Sequence, residues 1–249
     1  MIRGLYTSAT GMAVNEARMD TLSNNIANVD TTGFKRDERI MESFPDLVIN
    51  RMERGERSEE IGELGSGVGI DESFTDFSRG NFQKTDAPLD LAIDGEGFFA
   101  VQTPEGERYT RNGDFILNSE GMIVTKEGNP VLGEEGPLQV LPDEPVHVDT
   151  NGTVYSGDLD VDDLRIVDFA DPNDLEQLGN GLFAQGEAEE IETEEYSVEQ
   201  GYLEGSNVEI VKEMVDMIQA SRHYETNQRV IRAQDETLQQ AVNEIPGLR

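Results

Sequence analysis

Cysteine and tryptophan are absent from the 249 residues, and histidine occurs only at His147 and His223. The lack of cysteine excludes disulfides and thiolate metal sites. No serine stands in the G-x-S-x-G spacing of a nucleophile elbow, and His223 is expected on the solvated face of a helix. We therefore predict that the chain is not an enzyme and that it has no catalytic residues, cofactor or dedicated metal site.

Long apolar runs are also absent. No stretch of about 18 apolar residues exists that could cross a membrane as a helix. The N-terminus lacks the apolar h-region and the small-residue cleavage site of a secretory signal. We expect no membrane insertion, and we expect any export to use a route that needs no cleaved signal peptide.

Basic residues are scarce, with 19 Lys and Arg against 52 Asp and Glu and a formal net charge of −33. This balance argues against nucleic acid or anionic lipid as a partner. Residues 1–60 hold 8 basic and 11 acidic side chains and residues 207–249 hold 5 and 7, so −28 of the charge falls on residues 61–206. The near-neutral ends can pack against copies of themselves, whereas the acidic middle is expected to face solvent or counterions.

What the chain does have is a seven-residue apolar repeat near each end, the spacing of helices that pack along a common seam. No Gly or Pro interrupts residues 206–245, so a long helix is predicted there, opened by a capping box of Ser206 and Glu209. The predicted assembly interface consists of Leu5, Met12, Met19, Leu22, Asn25, Ile26 and Asn28 near the N-terminus, and Ile210, Met217, Tyr224, Ile231, Leu238 and Ile245 near the C-terminus.

The first helix is predicted from about Arg3 to Asn28, and it is expected to need a partner. Gly4 and Gly11 each weaken a helix by about 1 kcal/mol relative to Ala. The two terminal helices could pair within one monomer, but the C-terminal helix is the longer and would leave part of its seam uncovered. Its second row, read four residues after the apolar positions, is polar and favours contacts with several neighbours: Ser221, Gln228 and Asp235.

Between the helices, short apolar segments alternate with Gly-containing turns such as Asn112-Gly113 and Asn151-Gly152, which is typical of an antiparallel sheet rich in hairpins. The predicted fold class is α+β: an antiparallel β-rich central domain, with N- and C-terminal heptad helices that pack together as a discontinuous coiled-coil domain. The predicted divisions are an N-terminal helix and motif at 1–34, a linker or arm at 35–67, the β-rich domain at 68–186, an acidic, solvated connector at 187–205 and the C-terminal helix at 206–249.

Three segments carry a resemblance to a known family. Residues 22–35 (LSNNIANVDTTGFK) resemble the N-terminal motif of the bacterial flagellar rod and hook proteins. Residues 88–99 and 109–113 are similar to the start of the family's central β-domain. Residues 201–208, 213–215 and 224–228 resemble its C-terminal helix region. Within the family, the short body and the first six residues are most like the proximal-rod protein.

The resemblance implies a structural subunit of the flagellar basal-body rod. Such subunits leave the cell through the flagellar type III export apparatus and polymerise through their terminal helices into a hollow, torque-transmitting axle. The implied location is the periplasmic rod of the basal body, and the implied partners are copies of the chain and neighbouring rod and hook proteins. The Glu-rich segment at 187–204 departs from the family pattern.

A second hypothesis belongs to a different class of protein. An acidic β-domain can be secreted and can bind cations or act on glycans through paired carboxylates with perturbed pKa values. Nothing in the sequence nominates such a pair among the 52 acidic residues. A test for hydrolysis of surface glycans separates the two hypotheses.

Overall fold

The chain folds as an α+β protein, as predicted, with a helix near each end and antiparallel strands between them. The structure is a computed structural model that describes residues 2–45, 47–51, 59–141, 144–191 and 196–244. In chain order the elements are α1 (Ile2–Ala27), β1 (Arg36–Ser43), β2 (Leu47–Arg51), β3 (Glu59–Leu64), β4 (Val68–Asp76), β5 (Phe82–Lys84), β6 (Leu91–Gly95), β7 (Phe98–Thr103), β8 (Gly106–Thr110), β9 (Phe115–Leu117), β10 (Ile123–Thr125), β11 (Val146–Val148), β12 (Thr153–Ser156), β13 (Leu159–Asp163), β14 (Ile166–Phe169), β15 (Glu176–Gly179), β16 (Leu182–Ala184), β17 (Glu190–Ile191), β18 (Tyr196–Gln200), β19 (Tyr202–Glu204) and α2 (Ile210–Glu244).

The terminal helices follow the sequence predictions closely except at the start of α2. Helix α1 ends one residue before the predicted Asn28. Helix α2 begins at Ile210, so Ser206 and Glu209 do not form the predicted capping box. Instead the Ser206 hydroxyl accepts a hydrogen bond of 3.2 Å from the Val208 amide. The reason is that Asn207 is held outside the helix by hydrogen bonds to other segments.

The chain divides into two compact units. The first, here called the helical unit, comprises the described residues within Met1–Ile26, Asp37–Phe74 and Glu209–Arg249. The second, the β-rich unit, comprises those within Ala27–Arg36 and Thr75–Val208. The chain therefore passes from one unit to the other four times.

The predicted linker or arm at 35–67 contains strands. Strand β1 pairs with β4, and β2 pairs with β3 in an antiparallel hairpin. The Phe44 amide donates to the Gly67 carbonyl at 3.0 Å, and the Ser66 hydroxyl donates to the Pro45 carbonyl at 2.7 Å. Backbone pairing between residues distant in the sequence stabilises this segment. Its polar composition gives no apolar alternation from which these strands could be predicted.

The β-rich unit is built around a six-stranded sheet in the order β15-β16-β8-β7-β14-β17. Successive residues of β7 point to opposite faces, and both faces are covered: Phe98 joins one buried cluster and Phe99 the other. Strands β11, β12 and β13 form a separate three-stranded sheet. The predicted antiparallel, hairpin-rich body is confirmed in this unit.

The predicted acidic connector at 187–205 is part of the fold. Strand β18 pairs with β6 over five residues, and β19 pairs with β5. The side chains of Val198 and Glu204 are each 1% exposed. The expectation of a solvated segment is therefore wrong at these residues, because the alternation of β18 and β19 turns some side chains inward despite the surrounding glutamates.

Candidate assembly interface

Within the helical unit, α1 and α2 contact each other through glycines on α1 and amide side chains on α2. A Cβ atom at Gly11 would lie 2.9 Å from Nδ2 of Asn227. A Cβ atom at Gly4 would collide with the side-chain amide of Gln234. The two glycines that weaken the helix are therefore the places where the second helix comes closest.

Polar side chains continue the same contact toward the other end of α1. Asn25 donates from Nδ2 to Oε2 of Glu213 at 3.2 Å, and both residues are 1% exposed. Asn25 also exchanges two hydrogen bonds with the backbone of Asp37, accepting at 3.1 Å and donating at 2.8 Å. Arg18 lies 3.9 Å from Asp216. Low residue numbers in α1 meet high numbers in α2, so the two helices run antiparallel.

Most of the predicted interface residues that the structure describes are buried or half-buried. Leu22 and Asn25 are buried, and Ile210 is 44% exposed. Asn28 lies in the turn after α1, where Thr31 donates to its carbonyl at 3.1 Å. Ile245 lies outside the described residues. The remaining members are half-buried: Leu5, Met12, Met19, Ile26, Met217, Tyr224, Ile231 and Leu238.

The row of α2 that meets α1 lies three residues after the apolar positions. Glu213 and Ala220 of this row are buried, and Asn227 and Gln234 are half-buried and approach the α1 glycines. In the predicted row, four residues after the apolar positions, Ser221 and Gln228 are half-buried and Asp235 is exposed. That this row contacts several neighbours stays a prediction. Periodicity alone does not distinguish a step of three from a step of four.

A second apolar face of α2 is exposed near its first three turns. Val211, Met214, Val215 and Ile218 are 72%, 52%, 48% and 53% exposed. Residues three, four and seven positions apart lie on one side of a helix. The helical unit therefore presents a continuous apolar strip whose side chains are about half exposed or more.

The β-rich unit contains a buried charged cluster that we call the junction, formed by Lys35, Arg111 and Glu204. Lys35 Nζ lies 2.6 Å from Glu204 Oε1, and both side chains are 1% exposed. Arg111 Nη1 lies 3.7 Å from Glu204 Oε2. One buried carboxylate thus faces two buried cations, and the three residues come from distant parts of the sequence.

Backbone groups complete the junction. The Lys35 ammonium also donates to the Ser78 carbonyl at 3.0 Å, and the Gly80 amide donates to Glu204 Oε1 at 2.9 Å. Burial lowers the pKa of Lys35, and the neighbouring Glu204 carboxylate opposes that shift. Burial also lowers the pKa of Arg111, again against Glu204. The Arg111 guanidinium lies 5.2 Å from the centre of the Phe98 ring.

Glycine allows the turn after α1 to approach this cluster. Gly33 has φ of +67°, and a Cβ atom there would lie 2.5 Å from the backbone of Arg111 and Asn112. The Gly33 amide donates to the Glu204 carbonyl at 2.7 Å. Thr32 donates to Asn112 Oδ1 at 2.7 Å. The predicted turn at the end of α1 therefore serves as a contact with two other segments.

The sequence predictions missed the junction residues and Glu213. A partial signal was present, since Lys35 is the only basic residue of the first resembling motif and Arg111 is the only basic residue of the second. Buried charges are paired in folded proteins. The sequence does not show which partner these cations have, because the third motif contains three acidic residues: Glu204, Glu213 and Glu225.

Among the residues that the structure describes, no three His, Asp or Glu side chains are grouped so that they could hold a metal ion. Over the same ranges, neither helix combines the length and the apolar character needed to span a membrane.

Three family models match the chain, and they cover both ends and the middle. The model described as flagella basal body rod protein matches residues 5–35. The model described as flagellar hook protein FlgE/F/G D1 domain matches residues 92–156. The model described as flagellar basal body rod FlgEFG protein C-terminal matches residues 199–244. Each matched segment supplies one member of the junction.

Full-length relatives agree with these matches. The flagellar basal-body rod protein FlgG of Buchnera aphidicola subsp. Schizaphis graminum is 34% identical over 261 residues, covering 96% of this chain and 98% of the relative. FlgG of Bacillus subtilis is 33% identical and covers 98% of this chain and 99% of the relative. FlgG of Caulobacter vibrioides is 33% identical, with 96% and 97% covered.

A chain with two packed terminal helices, an exposed apolar strip and relatives of this kind is a structural protein and not an enzyme. It belongs to the flagellar basal-body rod protein family. Its role is that of a structural subunit of the bacterial flagellar basal body, where it functions in motility with other rod and hook proteins. The hypothesis of a secreted cation-binding or glycan-active protein finds no support in these relatives.

Proposed function

We propose that this subunit polymerises through its terminal segments, 1–34 and 206–249, into a hollow axle that transmits torque. In each subunit α1 and α2 pack as a discontinuous coiled coil, and neighbouring copies and other rod and hook proteins contact the exposed apolar strip of α2. The proximal part of the rod, in the periplasm, stays the predicted position of the subunit.

The exposed apolar strip of α2 is the observation that carries this proposal. Fully burying an aliphatic side chain stabilises an interface by about 1.5–3 kcal/mol. Val211, Met214, Val215 and Ile218 together therefore offer several kcal/mol that is unused in the single subunit. A contiguous exposed apolar surface of this kind is typical of a protein contact site.

The strip also answers the alternative of a closed helical pair in a monomer. Helix α1 contacts the α2 face that contains Asn227 and Gln234. The strip lies on other positions of α2 and stays exposed while α1 is in place. Pairing within the chain and assembly between chains are therefore compatible, because they use different faces of the same helix.

Export through the flagellar type III apparatus, without a cleaved signal peptide, is the second part of the proposal. Helix α1 contains two glycines that each cost about 1 kcal/mol relative to Ala, and its contacts with α2 include the polar pairs Asn25–Glu213 and Arg18–Asp216. Such a helix needs packing to persist. It can remain unfolded during passage through a narrow channel and fold when its partners are present.

The test places charge on the strip. The double variant Val211→Asp/Ile218→Asp should leave the monomer's circular dichroism and melting temperature nearly unchanged, because both side chains are exposed. It should abolish incorporation into purified basal bodies and stop swimming, because two charges would be desolvated in the subunit contact.

The matched control is His223→Asp/Val230→Asp, which introduces two Asp residues seven positions apart at exposed positions of the same helix that lie away from the strip. We expect normal rods from the control. Normal rods from Val211→Asp/Ile218→Asp would contradict the proposal, as would an equal loss of rods in both double variants.

A further inference from the structure

One asparagine in the β-rich unit binds three separate chain segments. Asn207 Oδ1 accepts from the Arg36 amide at 2.8 Å. Its Nδ2 donates to the Asp76 carbonyl at 2.7 Å and to the Ser78 carbonyl at 3.2 Å. Arg36 and Asp76 also form an ion pair at 3.7 Å. A single side-chain amide thus joins residues 36, 76–78 and 207.

The same segments are joined a second time by the junction. Lys35 binds both Glu204 and the Ser78 carbonyl. Glu204 in turn accepts from the Gly80 amide through its side chain and from the Gly33 amide through its backbone. The two sets of contacts reinforce each other, because residues 33–36, 76–80 and 204–207 are each held at two or more points.

These segments lie where the chain leaves the β-rich unit. The four passages to the other unit fall after residues 26, 36, 74 and 208. Arg36 is the last residue before one passage, Asp76 is the second residue after another, and Asn207 is the second-last residue before a third. Gly33 belongs to the segment that follows the fourth. Every chain connection that enters or leaves this unit is therefore bound to another within seven residues of its passage.

We propose that Asn207 is a positioning residue whose amide, together with the Lys35–Glu204 ion pair, holds the three segments 33–36, 76–80 and 204–207 side by side, so that mechanical load is shared among the four chain connections. The mechanical part rests on the proposed rod function. Without this restraint, load would fall on one connection at a time and would open the strands next to it, β5 and β19, which pair over only three residues.

The chemistry explains why an amide is needed at this position. A neutral side chain must accept from one N–H group and donate to two carbonyl groups, which Asn can do and Asp cannot. Asp has the same shape, but it would place a negative charge beside two carbonyl oxygens and the Asp76 carboxylate. The change Asn207→Asp is therefore a nearly isosteric test of the donor.

The first measurement is hydrogen exchange by mass spectrometry on the full-length chain. In Asn207→Asp we expect amide exchange in residues 33–36, 76–80 and 204–207 to rise about three- to tenfold, as for the loss of one or two hydrogen bonds. The control is Asn118→Asp, because half-buried Asn118 accepts from the Glu120 and Met122 amides through Oδ1, which an Asp retains. We expect no change in those three segments in the control.

A second variant keeps the test decisive if Asn207→Asp does not fold. Asn207→Ser is neutral and small, and its hydroxyl can satisfy part of the set of partners. It should fold and show a smaller rise in exchange confined to the same three segments. Unchanged exchange in these segments, or a rise spread evenly over the β-rich unit, would overturn the positioning role.

The second measurement concerns load. Cells carrying Asn207→Ser should assemble rods in normal yield, and they should shed hook–filament structures more often than wild type as the viscosity of the medium rises. Normal assembly with no extra shedding would overturn the load-sharing proposal and leave the rod function intact. The proposed contact through the α2 strip is tested separately. It would be contradicted by normal rods from Val211→Asp/Ile218→Asp.

Discussion

At the scale of single residues, the junction shows how a buried charge can connect distant parts of a chain. Lys35, Arg111 and Glu204 are separated by tens of residues in the sequence. In the fold, the Glu204 carboxylate lies 2.6 Å from the Lys35 ammonium and 3.7 Å from the Arg111 guanidinium. Removing one member leaves an uncompensated charge in a site with little access to water. Breaking a buried pair in this way typically costs about 3–5 kcal/mol.

We therefore predict that Glu204→Gln lowers the free energy of unfolding by about 3–5 kcal/mol, because two cations lose their only carboxylate in the junction. Urea denaturation of the full-length chain measures this change. Asp94→Asn is the control, since the Arg79–Asp94 pair is about half exposed and a pair of that kind contributes about 0–1 kcal/mol. Equal effects of the two substitutions would contradict the account of the junction.

At the scale of secondary-structure elements, the glycines of α1 have two opposite effects. They reduce helix propensity, and they make room for Asn227 and Gln234 of α2. Their spacing of seven residues matches that of the two amides, so the same heptad step that organises the apolar row also organises the close contacts. Each glycine thus lowers the helix propensity of α1 and also leaves the space that an α2 side chain occupies.

The prediction that follows is a coupling between Gly11 and Asn227. Gly11→Ala alone should not stabilise the chain, because the added methyl group meets the Asn227 amide at 2.9 Å. In the Asn227→Ala background the same substitution should stabilise it by about 1 kcal/mol through helix propensity. A double-mutant cycle measured by thermal unfolding tests this. A stabilisation of equal size in both backgrounds would show that the close contact is unimportant.

The sequence predicted the elements better than it predicted their contacts. The seven-residue steps of Leu5, Met12 and Met19 and of Met217, Tyr224 and Ile231 locate both helices within a few residues, because helix periodicity is a local property. The position of the α2 row that meets α1 depends on the partner helix, which the local pattern does not contain. The strands within 35–67 and the burial of Glu204 depend on pairing with segments far away in the sequence, and such pairing leaves no local period.

At the scale of the whole molecule, charge is distributed unevenly. Every basic residue between 75 and 208 forms an ion pair with an acidic one: Arg79, Lys84, Arg108, Arg111, Lys126 and Arg165. Because all these cations are already engaged, the surplus of acidic groups in this part of the chain is left to solvent and counterions. Mutual repulsion of this surplus opposes the folded state.

We predict that the melting temperature of the chain rises markedly between about 0.05 M and 1 M NaCl. The Debye length falls from roughly 14 Å to about 3 Å over this range, and repulsion between surface carboxylates is screened accordingly. Differential scanning calorimetry measures the change, with sucrose of matched osmolality as a control for non-ionic effects. A melting temperature that stays flat or falls would show that the acidic groups are already compensated locally.

The central claim is that the exposed strip of α2 becomes a contact between subunits in the rod. Since the chain has no cysteine, a single Val211→Cys substitution gives a unique thiol on the strip. The most direct measurement compares the rate of maleimide labelling of this thiol in the monomer and in assembled rods. Leu159→Cys, at a 61% exposed position of the β-rich unit, serves as the reference.

The account predicts rapid labelling of Val211→Cys in the monomer and labelling at least about tenfold slower in rods, because a neighbouring subunit covers a site that is 72% exposed in the single chain. The Leu159→Cys reference should be labelled rapidly in the monomer. Equal labelling rates for Val211→Cys in monomer and rod would contradict the claim that this strip joins one subunit to the next.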